Sequence, residues 1–251
     1  MHARRSWVEH IMGMPISVLA RGPAPCLGSA DGAVSAAFAE LRDIDATFSP
    51  YKPASPVSAI RAGTLSLAAS PPAVRAVAEL CAQAYELTGG LFDATRPDGT
   101  WDPSGLVKGW AAEQAAVHLA RVPDLDWCLN AGGDVAIRCG DGRSFTVGIE
   151  DPNNRGRLVQ ALSCSSGGVA TSGTAVRGQH IYDPRTGAAA DGPLASVTVA
   201  GPRLMYADVL ATAAFVAGRD WESVVGRAPG YVGFAVRSDG TRACSPGWPT
   251  D

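Results

Sequence analysis

The chain has 251 residues, 46% of them hydrophobic, enough to bury one sizeable core. With 21 basic and 24 acidic residues its net charge is -3, which leaves no positive field to hold DNA or RNA. The 29 glycines and 18 prolines come without any short repeat and read as loop chemistry rather than low-complexity disorder.

Six cysteines (Cys26, Cys81, Cys128, Cys139, Cys164 and Cys244) form no CxxC or CxxH pair. That spacing argues against a zinc site or a thioredoxin-like redox pair and predicts reduced, mostly buried thiols. At the amino terminus Glu9, His10 and Gly13 interrupt any apolar run before it reaches signal-peptide length. The run ADVLATAAFVAG is shorter than the roughly 20 residues needed to span a bilayer. A soluble, cytoplasmic protein folded as one domain over 1–251 is the expectation.

In chain order, alternation predicts a first strand over residues 12–20. Apolar residues at Val34, Ala37, Phe38, Leu41 and Ile44 then predict a helix over 31–45. Residues 48–56 read as a Pro/Ser-rich loop. A helix follows over 72–87, with Pro near its start and Thr88-Gly89-Gly90 at its end, and another over 105–120. From Trp127 the pattern turns to short β-like runs (WCLNAG, DVAIRC, SFTVGIE, LVQALSC, GGVATS, HIYDP, ASVTVAG) separated by glycine, Asp-Gly and Asp-Pro turns. One late helix over 205–217 interrupts them, and residues 221–237 close the fold with a helix and a strand. Strands and helices do not alternate one for one, so the predicted class is α+β with largely antiparallel sheet flanked by helices.

Several segments carry chemistry. In the late helix Asp208 and Thr212 stand four residues apart, which puts a carboxylate and a hydroxyl on one face. Such an oxygen pair suits a hard cation like Mg²⁺ beside phosphates. It also suits a first-turn acid with a core threonine. Asp102-Pro103-Ser104-Gly105-Leu106-Val107-Lys108-Gly109 joins a carboxylate, bare backbone and a cation at a helix start, where exposed amides and Lys108 fit a phosphate and the Gly105 carbonyl fits a metal. Asn130-Ala131-Gly132-Gly133-Asp134 reads as a turn that admits positive φ or a ligand's close approach. Ser172, His180 and Asp183 are ill placed for a nucleophilic triad, since there is no GxSxG elbow and His180 and Asp183 on one strand would face opposite sides. His180 fits better as a donor to a phosphate or a carbonyl, and Asp183-Pro184-Arg185-Thr186-Gly187 as a β-turn.

Taken in order, these segments resemble the FAD:protein FMN transferases, the ApbE family. Met12-Gly13-Met14-Pro15 is similar to the family's Met-Gly-Thr element, and residues 48–55 to its Phe-Ser-x-Tyr-x-x-x-Ser loop. Gly90 to Thr95 match Gly-x-Phe-Asp-x-Thr, and Asp102 to Gly109 match Asp-x-x-Gly-x-x-Lys-Gly. Asn130 to Asp134 match Asn-Ala-Gly-Gly-Asp, and residues 170–187 match the Thr-Ser-Gly and His-x-x-Asp-Pro-x-Thr-Gly pair. Ala207 to Thr212 follow Ala-Asp-Ala-Leu-Ala-Thr. Met14, Val107 and Val209 depart from the family's Thr, Ala and Ala.

The resemblance implies an ApbE-like, T-fold-like domain. It implies FAD contacts from Met12, Tyr51, Leu91, Phe92, Asp93, Asp102, Lys108 and His180, and Mg²⁺ held by the Gly105 carbonyl, Asp208 and Thr212. Asp208, Lys108 and His180 would serve catalysis. The implied activity is Mg²⁺-dependent transfer of FMN from FAD to a Thr or Ser hydroxyl of an acceptor protein, as a phosphoester, with release of AMP. Two rivals use the same pocket: a Mg²⁺-dependent FAD pyrophosphatase giving FMN and AMP, and a non-catalytic FAD-binding module.

Overall fold

The computed structural model describes residues 3–174 and 181–249, apart from the Arg155 side chain. It opens with a hairpin in which β1 (Ala3–Ile11) pairs antiparallel with β2 (Met14–Gly22). Met12 at φ 56° and Gly13 at φ 71° make the two-residue turn. Two left-handed residues in succession match the twist of the flanking strands. The strand expected over 12–20 therefore begins at Met14, and Met12 belongs to the turn. β1 escapes sequence reading because it is an edge strand, mostly exposed, without the alternation that marks a half-buried one.

Helix α1 (Ala24–Phe48) buries Val34, Ala37, Phe38, Leu41 and Ile44 along one stripe and extends beyond the expected 31–45 at both ends. The loop after it ends at Ser55, whose hydroxyl accepts the Ser58 amide at 3.0 Å and so caps α2 (Pro56–Arg61). Helix α3 (Pro72–Thr88) stops where Gly89 takes φ 65°, a left-handed cap that glycine adopts without strain. Helix α4 (Ser104–Ala120) follows, starting one residue before the expected boundary.

The remaining elements are β3 (Asp126–Ala131), β4 (Asp134–Arg138), β5 (Phe145–Asp151), β6 (Asn154–Cys164), β7 (Ser166–Gly173), β8 (Leu194–Gly201), α5 (Leu204–Ala217), α6 (Trp221–Val225), β9 (Val232–Arg237) and β10 (Arg242–Cys244). Among the described residues eight strands form one sheet in the order β1-β2-β3-β4-β7-β8-β9-β10, while β5 and β6 pair only with each other. Every named pairing is antiparallel. The α+β class read from the sequence is the class observed.

Strand alternation divides the core in two. On β4, Val135 and Ile137 pack with Phe145, Ile149 and Leu162 of the β5–β6 hairpin, while Ala136 joins the helical side. One face of the sheet is thus covered by helices and the other, in part, by the hairpin. Helix α5 is buried nearly all round and packs on α4, β7 and β8. No helix among the described residues is long and apolar enough to cross a membrane.

Two expectations change. The HIYDP run is no strand over its described part: Tyr182 makes an isolated bridge to Ala189, and Asp183 starts a turn closed by the Gly187 amide at 2.8 Å. All six cysteines are free, but only Cys81 is fully buried; Cys244 is exposed and the other four are half-buried. Cys26 lies at the start of α1, Cys139 just past the end of β4, and Cys128, Cys164 and Cys244 on β3, β6 and β10.

Candidate functional site

A cavity of about 980 Å³ opens between the ends of the central strands, α4, α5 and the β5–β6 hairpin. Met12, Tyr51, Leu91, Phe92, Asp93, Asp102, Gly105, Lys108, Asp208 and Thr212 all line it. His180 lies outside the described residues. Residues far apart in the chain, singled out one motif at a time, therefore meet at one place.

Tight turns bring several of them in. Met12 reaches the cavity from its left-handed turn, a conformation unusual for a residue with a β-carbon. Beside it Gly132, at φ 64°, leaves room for the Met14 sulfur, which would lie 2.6 Å from a β-carbon at that position. The Gly133 amide donates to Asn130 Oδ1 at 2.8 Å and closes the turn that delivers Asp134. Tyr51 stands at the rim, 90% exposed.

The floor of one end is built by Asp93, Asp102 and Tyr182. Asp93 Oδ1 accepts the Thr95 amide at 2.7 Å, and the Asp93 carbonyl accepts the Tyr182 hydroxyl at 2.7 Å. Asp102 Oδ1 accepts the Ser104 hydroxyl at 2.6 Å, and its Oδ2 lies 3.3 Å from Arg96. Asp102 thus anchors the start of α4 as well as lining the cavity. Burial raises the Tyr182 phenol to about 12, so it remains a donor at all ordinary pH values.

At the other end, α4 and α5 cross closely enough that a β-carbon on Gly109 would lie 3.2 Å from that of Asp208. This brings Lys108 Nζ to 3.3 Å from Asp208 Oδ1 and 2.6 Å from Asp134 Oδ2. Asp208 is 2% exposed, and its second oxygen, Oδ2, is buried without a hydrogen-bond partner. Burial pushes its carboxyl up to about 7; the Lys108 ammonium opposes the rise and the Asp134 charge adds to it. One turn along, Thr212 Oγ1 lies 3.0 Å from Ser172 Oγ on β7.

Among the described residues no group of three or more His, Cys, Asp or Glu side chains is placed to hold a metal. A cation here would draw instead on one carboxylate, one hydroxyl and a main-chain carbonyl. That donor set is all oxygen, and Asp208 Oδ2 is a buried carboxylate oxygen without a hydrogen-bond partner. Both features fit a hard divalent ion that completes its shell with water and substrate phosphates.

The ApbE family model matches residues 12–98 and 96–232, a span that includes both ends of the cavity. The chain belongs to the ApbE family. Over 131 residues it is 32% identical to a Haemophilus influenzae protein named FAD:protein FMN transferase, covering 47% of this chain and 38% of that one. Over 140 residues it is 36% identical to a protein of the same name from Treponema pallidum, covering 47% and 38%. The chain spans less than half the length of these curated relatives. Its fold matches that of an ApbE protein from Thermotoga maritima with a TM-score of 0.83 at 22% identity, covering 97% of each chain. It matches the flavin transferase ApbE from Vibrio cholerae at 0.84 and 20% identity, covering 98% of each.

Sequence reasoning missed Asp134, Ser172 and Tyr182 as site residues. Asp134 reads only as the end of a turn motif and Ser172 only as a rejected nucleophile, because nothing local marks the partner of either. Their roles come from contacts with Lys108 and Thr212, far away in the chain. Tyr182 lay in plain view within HIYDP but read as a strand residue.

Proposed function

We propose that this chain transfers FMN from FAD to a Thr or Ser hydroxyl of an acceptor protein, forming a phosphoester and releasing AMP. The observation that carries the reading is Asp208: a buried carboxylate with one oxygen lacking a hydrogen-bond partner, one helical turn from Thr212 and beside Lys108, on a cavity lined by the family's motifs. The names of the curated relatives support transfer of FMN from FAD to a protein.

In this reading the acceptor hydroxyl oxygen bonds to the FMN-side phosphorus of the diphosphate. The bond from that phosphorus to the bridging oxygen breaks, AMP departs with the oxygen, and the hydroxyl proton passes to a base. Asp208 and Thr212, with the Gly105 carbonyl, would hold Mg²⁺, whose contribution is to neutralise charge on the diphosphate. Lys108 presents a cation to the phosphates at the start of α4, and His180 is a further donor. Met12, Tyr51 and Leu91 to Asp93 would enclose the flavin or adenine ends, and Asp102 would hold the α4 start in register. Asp208 is also our candidate to assist proton removal.

The test is incubation of the purified chain with FAD, Mg²⁺ and flavoprotein subunits encoded nearby, followed by in-gel flavin fluorescence under denaturing conditions. Covalent fluorescence that disappears with EDTA or with Asp208→Asn is expected. Release of free FMN without any labelled protein would replace this reading with FAD hydrolysis. Full labelling by Asp208→Asn in saturating FAD would remove Asp208 from the mechanism.

A further inference from the structure

Two buried carboxylates share a single ammonium beside the cation site proposed above. Asp134 opens β4 and Asp208 lies on α5, and each is 2% exposed. Lys108 Nζ stands between them, nearer to Asp134 Oδ2 at 2.6 Å than to Asp208 Oδ1 at 3.3 Å. Asp134 is pinned from its other side, its Oδ1 accepting the Thr171 amide at 3.0 Å. Nothing in the transfer step assigned so far uses Asp134.

A divalent ion on Asp208 and the ammonium of Lys108 are like charges contending for one carboxylate, and with little water between them that repulsion is weakly screened. We propose that Asp134 is a positioning residue that holds the Lys108 ammonium off Asp208, leaving Asp208 open to the divalent cation and Lys108 directed at the substrate phosphates. The inference rests on the Mg²⁺ reading of the preceding section. Without the ion, Lys108 bridges both carboxylates and keeps two buried anions from standing uncompensated. With it, the ammonium retires fully onto Asp134. The pair Asp134–Lys108 would then set how tightly the ion binds.

Substitutions at the two positions act in opposite directions. The measurement is calorimetric titration of MgCl₂ into the ligand-free chain, with neither FAD nor acceptor present, so that turnover does not enter. Lys108→Gln retains a donor for Asp134 but removes the competing charge, and tightens Mg²⁺ binding by about tenfold. Asp134→Asn lets the ammonium settle on Asp208 and weakens it by about tenfold or more. Part of that loss is simply the missing negative charge, and this part persists without Lys108. Asp134→Asn is therefore also made in the Lys108→Gln background, where its cost is smaller by at least about threefold.

Equal costs in both backgrounds, or Lys108→Gln binding no tighter than the parent, would overturn the proposal. Asp208→Asn separates the two readings: if it binds Mg²⁺ as the parent does, the cation site itself is wrong. If it alone loses binding while the Asp134 and Lys108 variants match the parent, only the positioning role is wrong. A measurement on the unaltered protein covers a failure of Lys108→Gln to fold. The chain has just two lysines, Lys52 and Lys108, so lysine-selective ¹³C labelling gives two side-chain signals. Mg²⁺ should shift that of Lys108 and leave Lys52, paired with Asp45 at 2.6 Å, in place; a static Lys108 signal under saturating Mg²⁺ contradicts the inference.

Discussion

Gly109 on α4 approaches Met205 on α5 so closely that a β-carbon at position 109 would lie 2.9 Å from the Met205 Cα. Backbone, not a flexible side chain, is what it would meet, and the Leu204 carbonyl oxygen is 3.1 Å away. Gly109→Ala should therefore push the two helices apart, at a cost of about 1–3 kcal/mol. Urea unfolding would measure the loss. Because Asp208 rides on α5, flavin transfer should fall further than the stability loss alone explains.

The Tyr182 hydroxyl, which donates to the Asp93 carbonyl, can be removed without disturbing its ring. Tyr182→Phe should cost about 1 kcal/mol at that contact. The effect falls on a segment bordering the cavity, so FAD affinity should drop about fivefold while the unfolding midpoint moves little. Quenching of flavin fluorescence on binding would report it. Unchanged FAD affinity would show that the Asp93 segment needs no such support.

Ser172→Ala should leave the fold intact but free the Thr212 hydroxyl from its 3.0 Å partner. A loosened ligand raises the Mg²⁺ concentration needed for half-maximal transfer, by about threefold for a loss near 0.6 kcal/mol. A Mg²⁺ titration of initial rates would show the shift, and its absence would mean that Ser172 does not orient Thr212.

Asp126 gives the pH dependence of folding. Its carboxylate is fully buried, which alone would raise its pKa, but Arg143 at 2.7 Å, the Gly140 amide at 2.8 Å and Arg21 at 3.3 Å outweigh burial and hold it below the usual carboxylate range. A depressed folded-state pKa stabilises above the unfolded value, near pH 4, and that stability is lost as pH falls through the folded value. Thermal unfolding should therefore show a steep loss below about pH 4. In Asp126→Asn this acid limb should be shallower, from a lower starting stability.

Much of the scaffold was legible because burial imposes a period. Val34 to Ile44 on α1 follow from helical spacing, α5 follows from an unbroken apolar run, and β3 to β8 follow from short runs cut by glycine turns. What stayed hidden has no period. β1 is exposed on a sheet edge, and α2 is a six-residue helix set by the Ser55 cap, too short to show a period. Within the site, Asp208 and Thr212 could be paired from their spacing on one helix. Asp134 could not, since its nearness to Lys108 is created by α4 lying against the ends of β3 and β4.

Helix α5 is buried on almost every side, and Asp208 projects from its second turn. The backbone of a helix so enclosed opens about as rarely as the whole protein unfolds, so the main chain of Asp208 is held in place while its side chain faces the cavity. The ion would consequently be received by a rigid anvil. Under the proposed function, any rearrangement that accompanies FAD entry and AMP exit would fall to the periphery, where Tyr51 projects into solvent.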